Sequence, residues 1–447
     1  MPNDQAVRRT ALRRLAERAR VSPYYPALTH PVIRRVLPGV SLSALGDGMS
    51  AVAIAWLALH LAPSVSSRGL WVGAAVSAYS LPGVIGAVAL RRWLRSRGGA
   101  RLVFVNAVLR ATALSLVGCL GLAHVLDAPA YVFLLGVSSL LSAWGVAGKY
   151  SLIADLLPPE QRVAGNSVFG LADQVSLMIG PALAGVVTAL TSPAVVLTAD
   201  GVSWAVLAVS YARIVPLVSR RVPAEDERAT ADEPERSVWA LFRSSPVLPG
   251  LLALSFFFYL LYGPVEVALP VHVASDLRGS ATLLGIFWAV FGVGAILGEL
   301  AAPFLRRLRV WPTMTGIVLG WGLALVPLGL DTPLWLALGA FFVGALIWGP
   351  WMSLSMAVFQ DEAPPEALAQ VIAARGSLLI LASPVGAALG GPMVAATGAR
   401  GTLLISALGT AGLGLITVAI LIGTRRRRVT RGHTAAGESC PSAIARS

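Results

Sequence analysis

The sequence predicts an all-α membrane protein with twelve transmembrane helices in two pseudo-symmetric six-helix bundles. Three observations carry the prediction. The 447 residues are 56% hydrophobic and 13% charged, with a mean hydropathy of +0.74, too apolar for a water-soluble globule. Apolar runs of about twenty residues, enough to cross roughly 30 Å of hydrocarbon, recur along the chain. The second half then repeats landmarks of the first. Disorder is excluded, because disordered chains are rich in charge and poor in apolar residues. Two cysteines, Cys119 and Cys440, exclude a disulfide framework and a thiolate metal cluster. Five scattered histidines argue against a His-based metal site. No cofactor or metal is expected.

Twelve spans are read at 38–61, 69–90, 102–124, 129–153, 164–190, 193–215, 247–273, 280–304, 312–330, 333–357, 367–395 and 401–423. They divide into bundles at 38–216 and 246–423. A basic segment, 1–37, precedes them, a polar linker, 217–245, joins them, and a tail, 424–447, opens with Arg425 to Arg428. The first segment has neither the apolar core nor the cleavage site of a signal peptide. Leu12, Leu15 and Ala19 share a helical face among its arginines. It reads either as an amphipathic helix on anionic lipid or as a solvated basic tail.

The net charge of +13 sits in short clusters between the apolar runs, which is the positive-inside pattern and not a nucleic-acid footprint. With the N-terminus in the cytoplasm, that side receives eight basic residues in 1–37, five in 91–101 and two at Lys149 and Arg162. Six in 213–243, three in 306–309, Arg375 and six in the tail complete it. The outer side receives Arg68, Arg278 and Arg400. The expected location is therefore the cell membrane, with both termini and the linker cytoplasmic.

The repeat is concrete. Pro158-Pro159-Glu160 before span five returns as Pro364-Pro365-Glu366 before span eleven, 206 positions later. At the same offset Gly170 meets Gly376, Gly180 meets Gly386, and Gly185 meets Gly391. Two six-helix repeats around a midplane site are the logic of rocking transporters.

Specific stretches sharpen this. Span one reads SLSALGDGMSAVAIAWLAL, the loop into span five reads KYSLIADLLPPEQRVAGNSVFG, and span seven contains GPVEVALPVHV. Span five carries Ser176-x-x-x-Gly180-Pro181-x-x-Ala184-Gly185. Over about 36–424 the chain resembles the major facilitator superfamily, and more narrowly its drug-efflux branch that includes enterobactin and macrolide exporters. The span-five stretch is similar to the antiporter motif of exporters, with two glycines replaced. The resemblance implies the major facilitator fold and export. In the loop after span two, LRRWLRSRGGARL, Arg95 stands about where that family carries an aspartate thought to latch the cytoplasmic gate. The loop LRRLRV after span eight also lacks the acid. This departure puts the standard latch in doubt.

Ionisable residues inside spans are costly, roughly 2.5–3.5 kcal/mol each on insertion scales, and so mark functional positions. The candidates for proton coupling or for the substrate cavity are Asp47, Arg110, Asp173, Asp200 and Glu266. Counted from the cytoplasm, Asp47, Arg110 and Asp173 lie about 14 Å deep and can form one layer, with Arg110 holding one or both acids ionised. Asp200 and Glu266 count into the outer half. Asp47 beside Gly46 and Gly48 is also open to a packing role, Asp173 and Asp200 to pairing within their own half, and Arg110 to a structural one. Small residues in span five, Gly180, Ala184 and Gly185, allow close helix approach, and Pro181 favours a kink. Gly386, Gly390 and Gly391 are their second-half counterparts for gating and packing. Lys149 and Asp155 are read at the cytoplasmic edge, as contacts of the gate loop together with Arg95. Glu299 and Arg306 read as a snorkelling pair. His60, His124 and His272 map near outer span ends.

Phe256, Phe257, Phe258, Tyr259 and Tyr262 in span seven, and Trp348 and Trp351 in span ten, either line a drug path or pack. Enzyme signatures such as a phosphate-binding loop or a nucleophile elbow are missing, so no enzyme is expected. The expected function is secondary transport out of the cell of a small, partly hydrophobic organic compound, exchanged for protons, by a monomer whose partners are cargo, protons and the bilayer. An uncoupled facilitator or importer, and a degenerate transporter acting as a membrane sensor or assembly partner, stay open.

Overall fold

The computed structural model describes residues 25–90, 97–218, 247–305, 307–362 and 368–437. Residues 1–24 of the N-terminal basic segment, most of the linker, Arg95, Arg306, and Pro364 to Glu366 lie outside the described residues. The secondary structure described is helical throughout. Eleven stretches are long and apolar enough to cross a membrane. The last, Leu378–Gly423, has 46 residues. At 1.5 Å per residue that is about 69 Å, twice the hydrocarbon thickness. It is interrupted at Gly398, whose backbone (φ 74°, ψ 173°) is open to glycine alone. Gly398 divides the stretch into two crossings, which makes twelve among the described residues. The faces away from neighbours are apolar: Val88, Phe133, Phe304 and Trp335 are 69–76% exposed, as a lipid solvent requires.

Several spans are broken, and the sequence supplies the reasons. Span two consists of helices Arg68–Ala78 and Leu81–Ala89. Pro82 has no N–H to offer the Ala78 carbonyl four residues back. That orphaned carbonyl accepts from the Ser139 hydroxyl at 2.8 Å instead. Ser139 ends the first helix of span four, Ala128–Ser139, which resumes as Ser142–Leu156. Span ten breaks between Leu334–Trp348 and Trp351–Glu362, at Pro350. Span seven, Val247–Val271, ends in a π-helical turn, His272–Asp276. There His272 Nδ1 lies 2.7 Å from an Asp276 carboxylate oxygen.

By packing, the chain divides into two units. The first contains Met1–Glu235 with Gly263–Gly292 and Ser383–Ala399. In it span three (Gly99–Leu122) runs along span six (Pro193–Val218), and span one (Pro31–Leu61) along spans five (Pro159–Leu190) and six. Gly48 and Gly180 make the second of these contacts: a Cβ on Gly180 would fall 2.7 Å from the Gly48 Cα. The parts of spans seven, eight and eleven farthest from the arginine-rich loops join this unit, because glycines meet there too. Gly73 faces Gly391, and Gly185 faces Gly285. The second unit contains Arg236–Tyr262, Val293–Ala382 and Arg400–Ser447. Its aromatic core sets Phe258 edge-on to Trp351, with ring centroids 4.7 Å apart, both almost fully buried.

Candidate functional site

Asp47 sits mid-span between two glycines, and each glycine admits a neighbour. A Cβ on Gly46 would strike the Asp200 carboxylate and the Ser203 hydroxyl, and one on Gly48 would strike the Ser176 carbonyl. Spans five and six therefore close on span one at Asp47. Arg110 of span three reaches its carboxylate at 3.0 Å. Tyr79, at the break in span two, donates to the same oxygen at 2.7 Å and also hydrogen-bonds Arg110. Trp204 of span six donates to it from its indole at 3.3 Å. The guanidinium is held between two rings, 4.3 Å from that of Trp204 and 4.8 Å from that of Tyr79. Arg110 is buried, and its Nε has no hydrogen-bond partner among the described residues.

Asp200 belongs to the same cluster. It is 1% exposed, accepts from Ser50 at 2.5 Å and Ser203 at 3.2 Å, and lies within electrostatic reach of both Asp47 and Arg110. The sequence count places it in a separate outer group, and the structure corrects that. Its seven residues from one end bring it about 10 Å in, and Asp47 lies about 14 Å in from the other. Across roughly 30 Å the gap is about 5 Å, which side chains span.

Asp173 departs from the expected layer in the other direction. It pairs with Lys149 at 2.7 Å and not with Arg110. Depth fixes height but not azimuth, and span five turns Asp173 toward span four. Lys149, 16% exposed, thereby meets Asp173 on the wall of a cavity. Both residues line a cavity of about 400 Å³ together with Asp47, Arg110, Asn106 and Trp204. The Asp173 side chain is 45% exposed, so the pair is worth about 1 kcal/mol or less. Asp173→Asn is expected to lower the melting temperature only slightly, and the swap Lys149→Asp with Asp173→Lys to restore it. A loss as large as that from removing Arg110 would contradict this assignment.

Asp155 is exposed at the end of Ser142–Leu156, within electrostatic reach of Arg162. Arg162 caps that helix by donating to the Ala154 and Leu157 carbonyls at 3.0 and 3.1 Å. Glu266 accepts from Ser383 of span eleven at 2.8 Å, and no cation pairs with it among the described residues. Gly386 packs under Gly263, Gly390 on Pro264 and Val267, and Gly391 on Gly69 and Leu70. Ala184 is fully buried, and Pro181 lies inside an unbroken helix. Of the span-seven aromatics, Phe258 is core, Tyr259 donates to the Met352 sulfur at 2.8 Å, Tyr262 tilts against Trp321, and Phe257 is half exposed.

Sequence reasoning misses Tyr79, Trp204, Ser50, Asn106 and Ser383. Two signals are available. Tyr79 precedes a Ser-Leu-Pro break, and Trp204 follows Asp200 by one helical turn.

Comparison with known proteins agrees with this fold. The sequence matches the Major Facilitator Superfamily profile over residues 36–379. It is 27% identical over 384 residues to the multidrug efflux pump Tap of Mycolicibacterium fortuitum, covering 83% of this chain and 91% of that protein. Tap of Mycobacterium tuberculosis is 26% identical over 394 residues, covering 86% and 92%. A bacterial homologue of the human lysosomal transporter Spinster, solved inward-facing and occupied, superposes with a TM-score of 0.67 at 12% identity, over 87% of this chain and 97% of that one. A bacterial homologue of the iron transporter ferroportin gives 0.65 at 16%, over 87% and 98%. With a family profile matching well over half of its length, twelve crossings and a charged intramembrane cluster, the chain belongs to the Major Facilitator Superfamily, as a secondary transporter and not an enzyme.

Proposed function

We propose that this protein exports a small, partly hydrophobic organic compound of drug, natural-product or siderophore type, by alternating access and in exchange for protons, across a cell membrane with both its termini in the cytoplasm. One observation carries the reading. Arg110 pairs with Asp47 and lies within electrostatic reach of a second carboxyl, Asp200, beside a cavity. By charge count the set is neutral only when one carboxyl holds a proton. Loading and unloading that proton changes the field that cargo meets, which is what couples two ligands through one protein. Glu266, hydrogen-bonded to a neutral serine and paired with no cation among the described residues, supplies a further carboxyl able to change charge. Similarity to curated multidrug efflux pumps supports export, and the skew of arginines toward one set of loops supports the sidedness.

The test is efflux from loaded cells and from proteoliposomes under an imposed pH gradient. An uncoupler is expected to stop uphill efflux. Glu266→Gln is expected to abolish cargo-driven proton movement while cargo still binds. Uncoupler-insensitive, gradient-independent flux would favour an uncoupled facilitator, the reading suggested by Arg95 in place of the loop acid. Unchanged proton movement in Glu266→Gln would remove that residue from the coupling path.

A further inference from the structure

The second unit holds a groove that shares no residue with the candidate site. It has a volume of about 670 Å³ and opens between spans eight (Ala281–Leu305), nine (Val310–Gly329) and ten, at their arginine-rich end. Its origin is local. On span eight Gly298, Ala301 and Leu305 fall on one stripe, and the first two carry little or no side chain. On span nine Pro312 and Gly316, one turn apart, face the same space. A Cβ built on Gly316 meets no atom within 4 Å. The remaining wall is apolar, from Leu308, Ile317, Leu346 and Ile347.

Polarity enters at one end only, where Arg309 and Thr313 line the rim. The Thr313 hydroxyl is already given to the Arg309 carbonyl at 2.9 Å. Arg309 and its neighbour Arg307 are exposed, and neither has an acidic partner among the described residues. The groove is therefore apolar at the depth of the acyl chains and cationic where the spans meet the headgroups.

We propose that this groove seats an anionic phospholipid of the surrounding bilayer, with an acyl chain along Gly316 and the phosphate on Arg309 and Arg307. A water-soluble protein cannot reach an apolar wall buried in hydrocarbon. A neutral lipid would leave the two guanidiniums without a counter-charge. A tethered negative head on an apolar tail satisfies both ends, and basic pockets between spans select such lipids. The inference does not rest on the direction of transport or on proton coupling.

The experiment uses the full chain in detergent, with phosphatidylglycerol and phosphatidylcholine of identical acyl chains. Retained lipid is counted by native mass spectrometry and the melting temperature is followed. Phosphatidylglycerol is expected to be retained and to raise the melting temperature more than phosphatidylcholine. Arg309→Gln, at an exposed site, is expected to weaken phosphatidylglycerol retention about fivefold and leave phosphatidylcholine unaffected. Gly316→Leu, which fills open space, is expected to cut retention of phosphatidylglycerol while the protein still melts cooperatively. Equal retention of the two lipids overturns the proposal, as does full retention in Gly316→Leu. A soluble glycerol phosphate reproducing the whole shift would show an anion site without a lipid, and would also overturn it.

Discussion

Arg110→Met is expected to abolish transport and to destabilise the protein by about 3 kcal/mol or more, the usual cost of removing one partner of a buried ion pair. The side chain is 8% exposed, pairs with Asp47 at 3.0 Å and lies within electrostatic reach of Asp200. Without it, Asp47 keeps, among the described residues, the hydrogen bonds of Tyr79 and Trp204, and Asp200 those of two serines. Neither set carries a positive charge. Two variants separate stability from function. Arg110→Lys keeps the charge but loses the planar contact with two rings. It is expected to fold and to transport about tenfold more slowly, the scale of a lost charge-assisted hydrogen bond. Arg110→Met combined with Asp47→Asn removes opposite charges together and is expected to recover stability but not proton-linked efflux. Melting temperature in detergent and efflux in proteoliposomes check these outcomes. A stable, fully active Arg110→Met protein would end the case for the cluster.

The legibility of this arrangement in the sequence is uneven. Span count and the boundary near Gly398 follow from hydropathy and helical rise, which depend on local sequence alone. The partners do not. Whether Asp173 meets Arg110 or Lys149 depends on how span five is rotated, and the rotation is set by which glycine faces which backbone. Gly48 against Gly180 fixes it here. The sequence count puts Asp200 in the wrong group because its depth is measured from one membrane face and that of Asp47 from the other, and the two counts nearly meet. Tyr79 escapes notice because its role arises from a broken helix. A residue at a break is free of the regular face pattern and can aim along the helix axis.

Gly73→Val is the other large effect expected, and it tests conformational change and not chemistry. In span two Gly73 lies against span eleven. A Cβ there would sit 2.8 Å from the Gly391 Cα, 2.9 Å from its nitrogen and 3.2 Å from the Ala387 carbonyl oxygen. All three are backbone atoms and cannot step aside as a flexible side chain would. In return, a Cβ on Gly391 would sit 3.1 Å from the Gly69 carbonyl oxygen. Forcing extra atoms into such a contact costs about 1–3 kcal/mol. If cycling requires this seam to close and reopen, that cost shifts the population away from the closed form by roughly five- to 150-fold. Helix insertion is unaffected, since valine is as apolar as the span around it. Gly73→Val is therefore expected to reach the membrane in normal amount and to lose transport. A cysteine at Val394, 7% exposed in the seam, reports the opening in a background lacking Cys119 and Cys440. Thiol labelling there should be slow in the parent and fast in Gly73→Val. Gly170→Ala, at a site where a Cβ meets no atom within 4 Å, controls for simple loss of a glycine and should behave as the parent. Rapid labelling in the parent, or slow labelling with full transport in Gly73→Val, would show that the seam does not gate the path. Gly185 against Gly285 then offers an independent check, because its Cβ would sit 3.1 Å from the Gly285 Cα and 3.0 Å from the Ala281 carbonyl oxygen. A gate built on backbone contact at two places should fail by the same physics at either.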